Sequence, residues 1–510
     1  MKIKIQSIVK SKKIAAMISY AATVLSAAAS IVLIPVCLRY VGSDQYGLYQ
    51  KIYAVVQYLM IIDLGLGSTV VRFAVSAKTR RDVTQEQRIN GFMLKVSIGL
   101  NCVIAVLGVL MYLYIDVIYN TMQAAELIKA RQLLIIMILH SVLAVFQDYL
   151  GGIVETHEHF VFSKSKRLFR MGSRVVLIPL LIAKTRDIAV IAYVDLALIT
   201  ITVLATIFYD FCVLNARLSF QPVGRTIAKS ASTLMLACLL QNTSKFLNNG
   251  IDKILLGRYL GNGAVTTYSV AMTFISFFMI ASTVIQSVHL PQIVRMNTQG
   301  ASIEKLTDVV VRVGRIQMAL CGGFLCGFII LGKEFINIWA GAGHDEAWYI
   351  ALIIMVPLIV PLTQNVCLSI LTAKDKRLFR AVVIVCLSIT NMLLTIFLVK
   401  RIGLMGAPIG TAAAYLLGNV IAMNVYYSKA LGIRVVNMFR RIGNKIVPSI
   451  VLSGVICFFL FKLFPVTNQL WPWVGKALIF LACYGAMLLA YGFNESEKKA
   501  LLMIKKKLIR

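Results

Sequence analysis

Long apolar runs alternate along this chain with connections that are by turns basic and nearly uncharged. About 38 of the 52 Lys and Arg residues fall on one set of alternate connections and their flanks, and about 14 on the other. Only a chain that crosses a bilayer repeatedly has a use for that pattern, with the basic set of connections facing the cytoplasm. The reading is a polytopic, all-α membrane protein with about fourteen transmembrane helices, from about 14–38 to about 473–493. These runs are far longer than a barrel strand and do not alternate, which argues against strands. An even number of spans places both termini in the cytoplasm.

Composition closes off other classes. Mean hydropathy is +0.82 and 59% of residues are hydrophobic, against 14% charged. A net charge of +31 would suit a nucleic-acid binder. Here, however, the basic residues flank apolar spans, where anionic membrane lipids and the insertion machinery read them, so no nucleic acid is expected. The ten cysteines sit mostly inside spans, without redox or zinc spacing. Glu155-Thr-His157-Glu-His159 lacks the H-E-x-x-H arrangement, and no metal site is expected there. There is no phosphate-binding Gly-rich loop, nucleophile elbow or pair of catalytic carboxylates, so the chain reads as no enzyme and as holding no cofactor.

An internal repeat organises the spans. Arg39-Tyr40-Val41-Gly42-Ser43, with Tyr49 ten residues after the Arg, returns as Arg258-Tyr259-Leu260-Gly261-Asn262, with Tyr268 ten after. The separation, 219 residues from Arg39 to Arg258, carries the second, third and fourth spans onto the eighth, ninth and tenth. Six helices per copy is an even number, so the copies form a parallel repeat about the membrane normal. The expected organisation is a six-helix lobe over residues 1–217, a second over 218–430, and two added helices with a basic tail over 431–510. A second echo, Lys164–Arg170 against Lys374–Arg380, is offset by 210 and does not register with the first.

The fifth span carries the most chemistry. Its clean apolar part, Val175–Ala183, is too short to cross ~30 Å at 1.5 Å per residue, so the helix must start near Phe160. That draws Lys164, Lys166, Arg167, Arg170 and Arg174 into it, with Arg167, Arg170 and Arg174 on one face. One reading is a cationic wall that grips phosphate oxygens; the other is a positive-inside flank that snorkels to headgroups. Lys245, in a polar patch of the seventh span, either faces a ligand or pairs with Asp252. Arg72 and Lys95 cap the second and third spans as topology signals that would also line the mouth of such a cavity. Asp63, Asp148 and Asp195 lie in the second, fourth and sixth spans. Each would bind a proton or Na+ for ion coupling, or neutralise a cavity cation.

Ile34-Pro35-x-x-x-Arg39-Tyr40-Val41-Gly42, then Asp63-Leu64-Gly65-Leu66-Gly67 and Arg72, resemble the polysaccharide-biosynthesis flippases. These are the O-antigen (Wzx-like) and capsule flippases of the MOP superfamily. Asp252-Lys253-Ile-Leu-Leu-Gly257 and Gly403-Leu-Met-Gly406-Ala407-Pro-Ile-Gly410 fit the same pattern, and the resemblance covers nearly the whole chain. It implies two six-helix lobes with two peripheral helices. It also implies movement of a polyprenyl-pyrophosphate-linked oligosaccharide from the cytoplasmic to the outer leaflet of a bacterial plasma (inner) membrane. Polysaccharide polymerase or assembly proteins would be its partners. The alternative is a MATE-like, ion-coupled small-molecule antiporter, which would favour an acid-lined cavity.

Overall fold

A computed structural model describes residues 11–119, 122–374, 378–464, 469–495 and 497–498. Among the described residues all regular structure is helical. Ten stretches are long and apolar enough to cross a membrane, and Val435–Gly443 with Ile446–Lys462 forms an eleventh, bent by 44°. One of the ten, Val382–Leu431, contains two helices, Leu378–Ile402 and the run that begins at Gly406. Two more helices of sufficient length, Phe160–Thr185 and Arg225–Tyr259, are not among these stretches, the first for its charge and the second for its polar residues. With them the spans fall at the fourteen expected positions. The sequence reading takes Ser428–Lys445 as one of the basic cytoplasmic connections. It holds the short helix Val435–Gly443, which buries Met438 and Ile442 and exposes Val436 and Arg440.

The chain folds as two compact units, Met1–Thr266 and Thr267–Arg510. In the first, α1 (Lys12–Tyr40) packs along α6 (Phe160–Thr185), which begins where the length argument requires. The second span is broken. α2 (Ser43–Leu59) runs into a tight turn at Met60–Asp63, and Leu64 and Gly65 both take left-handed backbone (φ +53° and +65°) before α3 (Leu66–Thr79) restarts. Irregular backbone at membrane depth persists where it lines a cavity or is walled in by protein. Glycine is required at 65 twice over, because a methyl there would also lie 2.7 Å from Cys238 Sγ. Next come α4 (Val83–Leu113), α5 (Ala124–Thr156) and α7 (Ala189–Phe208). α8 (Arg225–Tyr259), which opens the second copy of the repeat, packs on α2 and α3 and so belongs to this unit.

The repeat motif has a structural meaning. Gly42 and Gly261 both adopt positive φ, +89° and +86°, and each starts a new helix, α2 and α9 (Asn262–Thr298). Shifted by 219, Ser43–Thr79 falls on Asn262–Thr298 and Val83 falls one residue before Ile303. The two copies also touch reciprocally. Thr266 Oγ1 donates to the Ser43 carbonyl at 2.7 Å, while the bare face of Gly47 meets the Asn262 carbonyl. Ser43 corresponds to Asn262, and Gly47 to Thr266. The second echo has no such parallel: Lys164 lies inside α6 but Lys374 precedes the next helix, and residues 375–377 lie outside the described residues.

In the second unit, α10 (Ile303–Ala340) is the hub. It packs on α11 (Glu346–Thr363) and on two added helices, α12 (Ile446–Lys462) and α13 (Leu470–Met487). Its core joins Val310, Val366, Ile370, Tyr427, Met438 and Ile442. Charges buried here are bonded. Arg315 donates to Glu497 Oε1 (2.6 Å) and Oε2 (3.0 Å) and to the carbonyls of Gly492, Asn444 and Arg441. Those five bonds match the donor capacity of a guanidinium. Lys476 reaches both oxygens of Glu334 at 3.1 Å.

Candidate functional site

The break in the second span, the lower half of α5 and the polar face of α6 enclose a cavity of about 440 Å³. It is lined by Asp63, Gly65, Gly67 and Ser68 from the break, by Gln147, Asp148 and Glu155 from α5, and by Ser163, Lys164, Lys166, Arg167 and Arg170 from α6. Ser19 of α1 and Thr202 of α7 complete it. From Lys164 to Arg174 the α6 stripe rises ~15 Å at 1.5 Å per residue, half of a ~30 Å hydrocarbon core. Side chains that deep have to face protein or water, because lipid offers no partners.

The cations along the stripe are held differently. Lys164 is paired with Glu155 at 2.7 Å, and Glu155 also accepts from Ser163 Oγ at 2.8 Å. Lys166 donates to Thr206 Oγ1 at 2.9 Å and lies over the Phe162 ring. Arg167 is exposed. Among the described residues the buried Nε of Arg170 has no hydrogen-bond partner, nor does Oδ1 of Asp63, and Asp148 is exposed to the cavity. Unspent donors and acceptors of both signs therefore converge on one space. The arrangement can bind a polyanion that also carries hydroxyl groups, because guanidinium and ammonium groups hold phosphate oxygens while carboxylates accept from hydroxyls.

Not every residue singled out in the sequence lies on this cavity. Arg174 is drawn off into an ion pair with Asp195 at 3.0 Å. Arg72 is exposed and does not line the cavity. Lys95 donates to the Phe220 carbonyl at 3.0 Å and so pins the connection that follows α7. Asp252 is buried in α8, while the side chain of Lys245 lies outside the described residues. His157 sits 3.6 Å from Glu86, and His159 meets the Tyr209 hydroxyl at 2.7 Å. The sequence reasoning passed over Gln147 and Thr202, which line the cavity, and Thr206, which ties α5 and α6 to α7 through Gln147 and Lys166. Their spacing of i, i+4 on α7 was the available signal, masked by the apolar residues between them.

Comparison with known proteins gives the chain its relatives. The family model for polysaccharide biosynthesis proteins matches residues 15–297, more than half of the chain. The probable flippase AglR of Haloferax volcanii is 22% identical over 292 residues, which cover 56% of this chain and 60% of that protein. The probable low-salt glycan biosynthesis flippase Agl15 of the same organism is 22% identical over 220 residues, covering 43% and 45%. The chain thus matches less than two thirds of the length of either relative. Among solved structures, the lipid II flippase MurJ in an inward closed conformation superposes with a TM-score of 0.73 at 14% identity, covering 97% of this chain and 100% of that one. An inward-facing multidrug resistance MATE family transporter of the MOP superfamily gives 0.62 at 15% identity, covering 85% and 99%. At such identities the likeness to solved structures is one of fold, shared by flippases and transporters alike. With more than half of its length matched by the family model, this chain belongs to the polysaccharide biosynthesis protein family.

Proposed function

We propose that the protein is a flippase that carries a polyprenyl-pyrophosphate-linked oligosaccharide from the cytoplasmic to the outer leaflet by alternating access. The observation that carries this reading is the α6 wall: Lys164, Lys166, Arg167 and Arg170 face one cavity inside a single compact unit. Four cations against Asp63, Asp148 and Glu155 leave the space net positive, as a pyrophosphate requires. Its volume of about 440 Å³ lies within the ~300–1,000 Å³ usual for ligand sites. The names of AglR, Agl15 and MurJ point the same way. In this reading the basic connections lie in the cytoplasm of a bacterial plasma membrane, with both termini on that side.

The repeat that relates Ser43 and Gly47 to Asn262 and Thr266 gives the two-copy layout on which alternating access relies. A second reading, a MATE-like antiporter, draws on the three acids that share the cavity.

Deleting the gene and locating the lipid-linked saccharide that accumulates tests both readings. An inward-facing undecaprenyl-linked unit with loss of surface polysaccharide is the expected result. Normal surface polysaccharide with heightened sensitivity to cationic drugs would transfer the case to the antiporter. Lipid-linked units left outside but unpolymerised would place the protein after translocation.

A further inference from the structure

Thr202, Thr206 and Asp210 recur at every fourth residue on α7 and the wider turn that continues it, Tyr209–Val213, and so form one stripe. Thr202 lines the cavity. Thr206 is fully buried and accepts from Lys166 Nζ at 2.9 Å and from Gln147 Nε2 at 3.2 Å. Its own hydroxyl donates to the Thr202 carbonyl at 2.6 Å. One turn on, Asp210 is 0% exposed, and neither of its carboxylate oxygens has a hydrogen-bond partner among the described residues. Single wide turns of this kind within helices recur at functional sites.

An ionised carboxylate shut away from water with no donor is costly, and a proton removes that cost. The groups that face Asp210 are few. Lys166 of α6 is the cation whose field reaches it. Tyr149 of α5 donates its hydroxyl to the Asn90 carbonyl at 3.1 Å, and Tyr209 on its own turn bonds His159 of the α5–α6 junction. Arg170, Glu155 and Asp148 act on Lys166 from the cavity side, the first against its charge and the two acids in its favour. Lys166 therefore stands between two claims, the cavity on one side and Asp210 on the other.

We propose that Asp210 is a proton-binding site linked through Lys166 to anion binding in the cavity. With Lys166 drawn to a phosphate in the cavity, Asp210 holds a proton. With the cavity empty, Lys166 pairs with ionised Asp210 and that proton is released. The lysine keeps its charge throughout, so the balance is one proton taken up by one carboxylate per anion bound. By linkage, the anion binds more tightly as pH falls through the range in which Asp210 titrates. This rests on the proposed function only in naming a phosphate as the anion.

The test uses the full chain in detergent, with inorganic pyrophosphate as the probe. Wild type should take up about one proton more per bound pyrophosphate than Asp210→Asn, and its affinity should change by up to about tenfold per pH unit where the variant's does not. Equal proton uptake and equal pH dependence in the two proteins would overturn the proposal. Should pyrophosphate bind to neither, the phosphate role of the cavity fails, and infrared spectroscopy decides Asp210 independently. A protonated-carboxyl C=O band present in wild type and missing in Asp210→Asn supports the site, and its absence from both sinks it. Lys166→Gln covers the case in which Asp210→Asn does not fold: it should keep the band to higher pH than wild type, and an unchanged titration would contradict the linkage.

Discussion

The two units treat buried charge in opposite ways. In the second, Arg315 spends five donors on five acceptors and Lys476 reaches both oxygens of Glu334, and these bonds strap α12, α13 and the segment after them to α10. In the first, the buried atoms left without hydrogen bonds among the described residues include Arg170 Nε, Asp63 Oδ1 and both oxygens of Asp210. Satisfied charges specify a structure, whereas unsatisfied ones at membrane depth keep interaction capacity for something else. The second unit is therefore read as the braced one and the first as the working one.

That contrast can be broken by mutation. Arg315→Ala should cost ~3–5 kcal/mol of stability, since it leaves Glu497 and three carbonyls without their donor. Arg170→Ala should stay within ~1 kcal/mol of wild type. Thermal unfolding in detergent measures both, and a cost for Arg170→Ala as large as that for Arg315→Ala would erase the distinction between the units. Lys476→Met alone should cost ~3 kcal/mol, while Lys476→Met with Glu334→Leu should recover most of it, because an apolar pair can replace a buried ionic one.

Glu497 sharpens the comparison through pH. Burial raises its carboxyl, but the Arg315 guanidinium and the Asn494 amide outweigh this and hold it below the ordinary value of 4.5. A depressed folded value means that the stabilisation is present above about 4.5 and is lost as pH falls through the folded value. Glu497→Gln should therefore unfold ~2 kcal/mol more easily at pH 7 and match wild type in strong acid. Gly65→Ala, forced into left-handed backbone against Cys238, should cost upward of ~1 kcal/mol and disturb the cavity more than the fold. Smallest is the surface pair of Lys129 and Asp187, 3.0 Å apart. Burial works against the Asp187 charge, but the Ala189 amide and Lys129 hold its carboxyl low. Lys129→Ala should cost at most ~1 kcal/mol, and less in high salt.

Hydropathy and charge made the spans legible, and the short apolar part of the fifth span required α6 to begin near Phe160, where it does begin. The repeat motif was legible as sequence, but its reciprocal contact was not, because pairing across 219 residues is a tertiary fact. The break at Met60–Gly65 lay in plain view as Asp-Leu-Gly-Leu-Gly, yet Leu64 in left-handed backbone has no composition signal. The α6 stripe was readable by spacing, but spacing could not tell that Arg174 would be claimed by Asp195 while Arg170 would not be fully spent. Asp210 falls at the margin of an apolar run, where an acid reads as a headgroup contact, and only burial distinguishes it.

The most direct test of the central claim, that the α6 wall handles the cargo, is complementation of a deletion strain with Arg167→Gln/Arg170→Gln. The readouts are surface polysaccharide, the leaflet in which lipid-linked saccharide accumulates, and the unfolding midpoint of the purified variant. The account predicts saccharide trapped inside while the midpoint stays close to wild type. Full surface polysaccharide from a variant that lacks both guanidinium groups would contradict it.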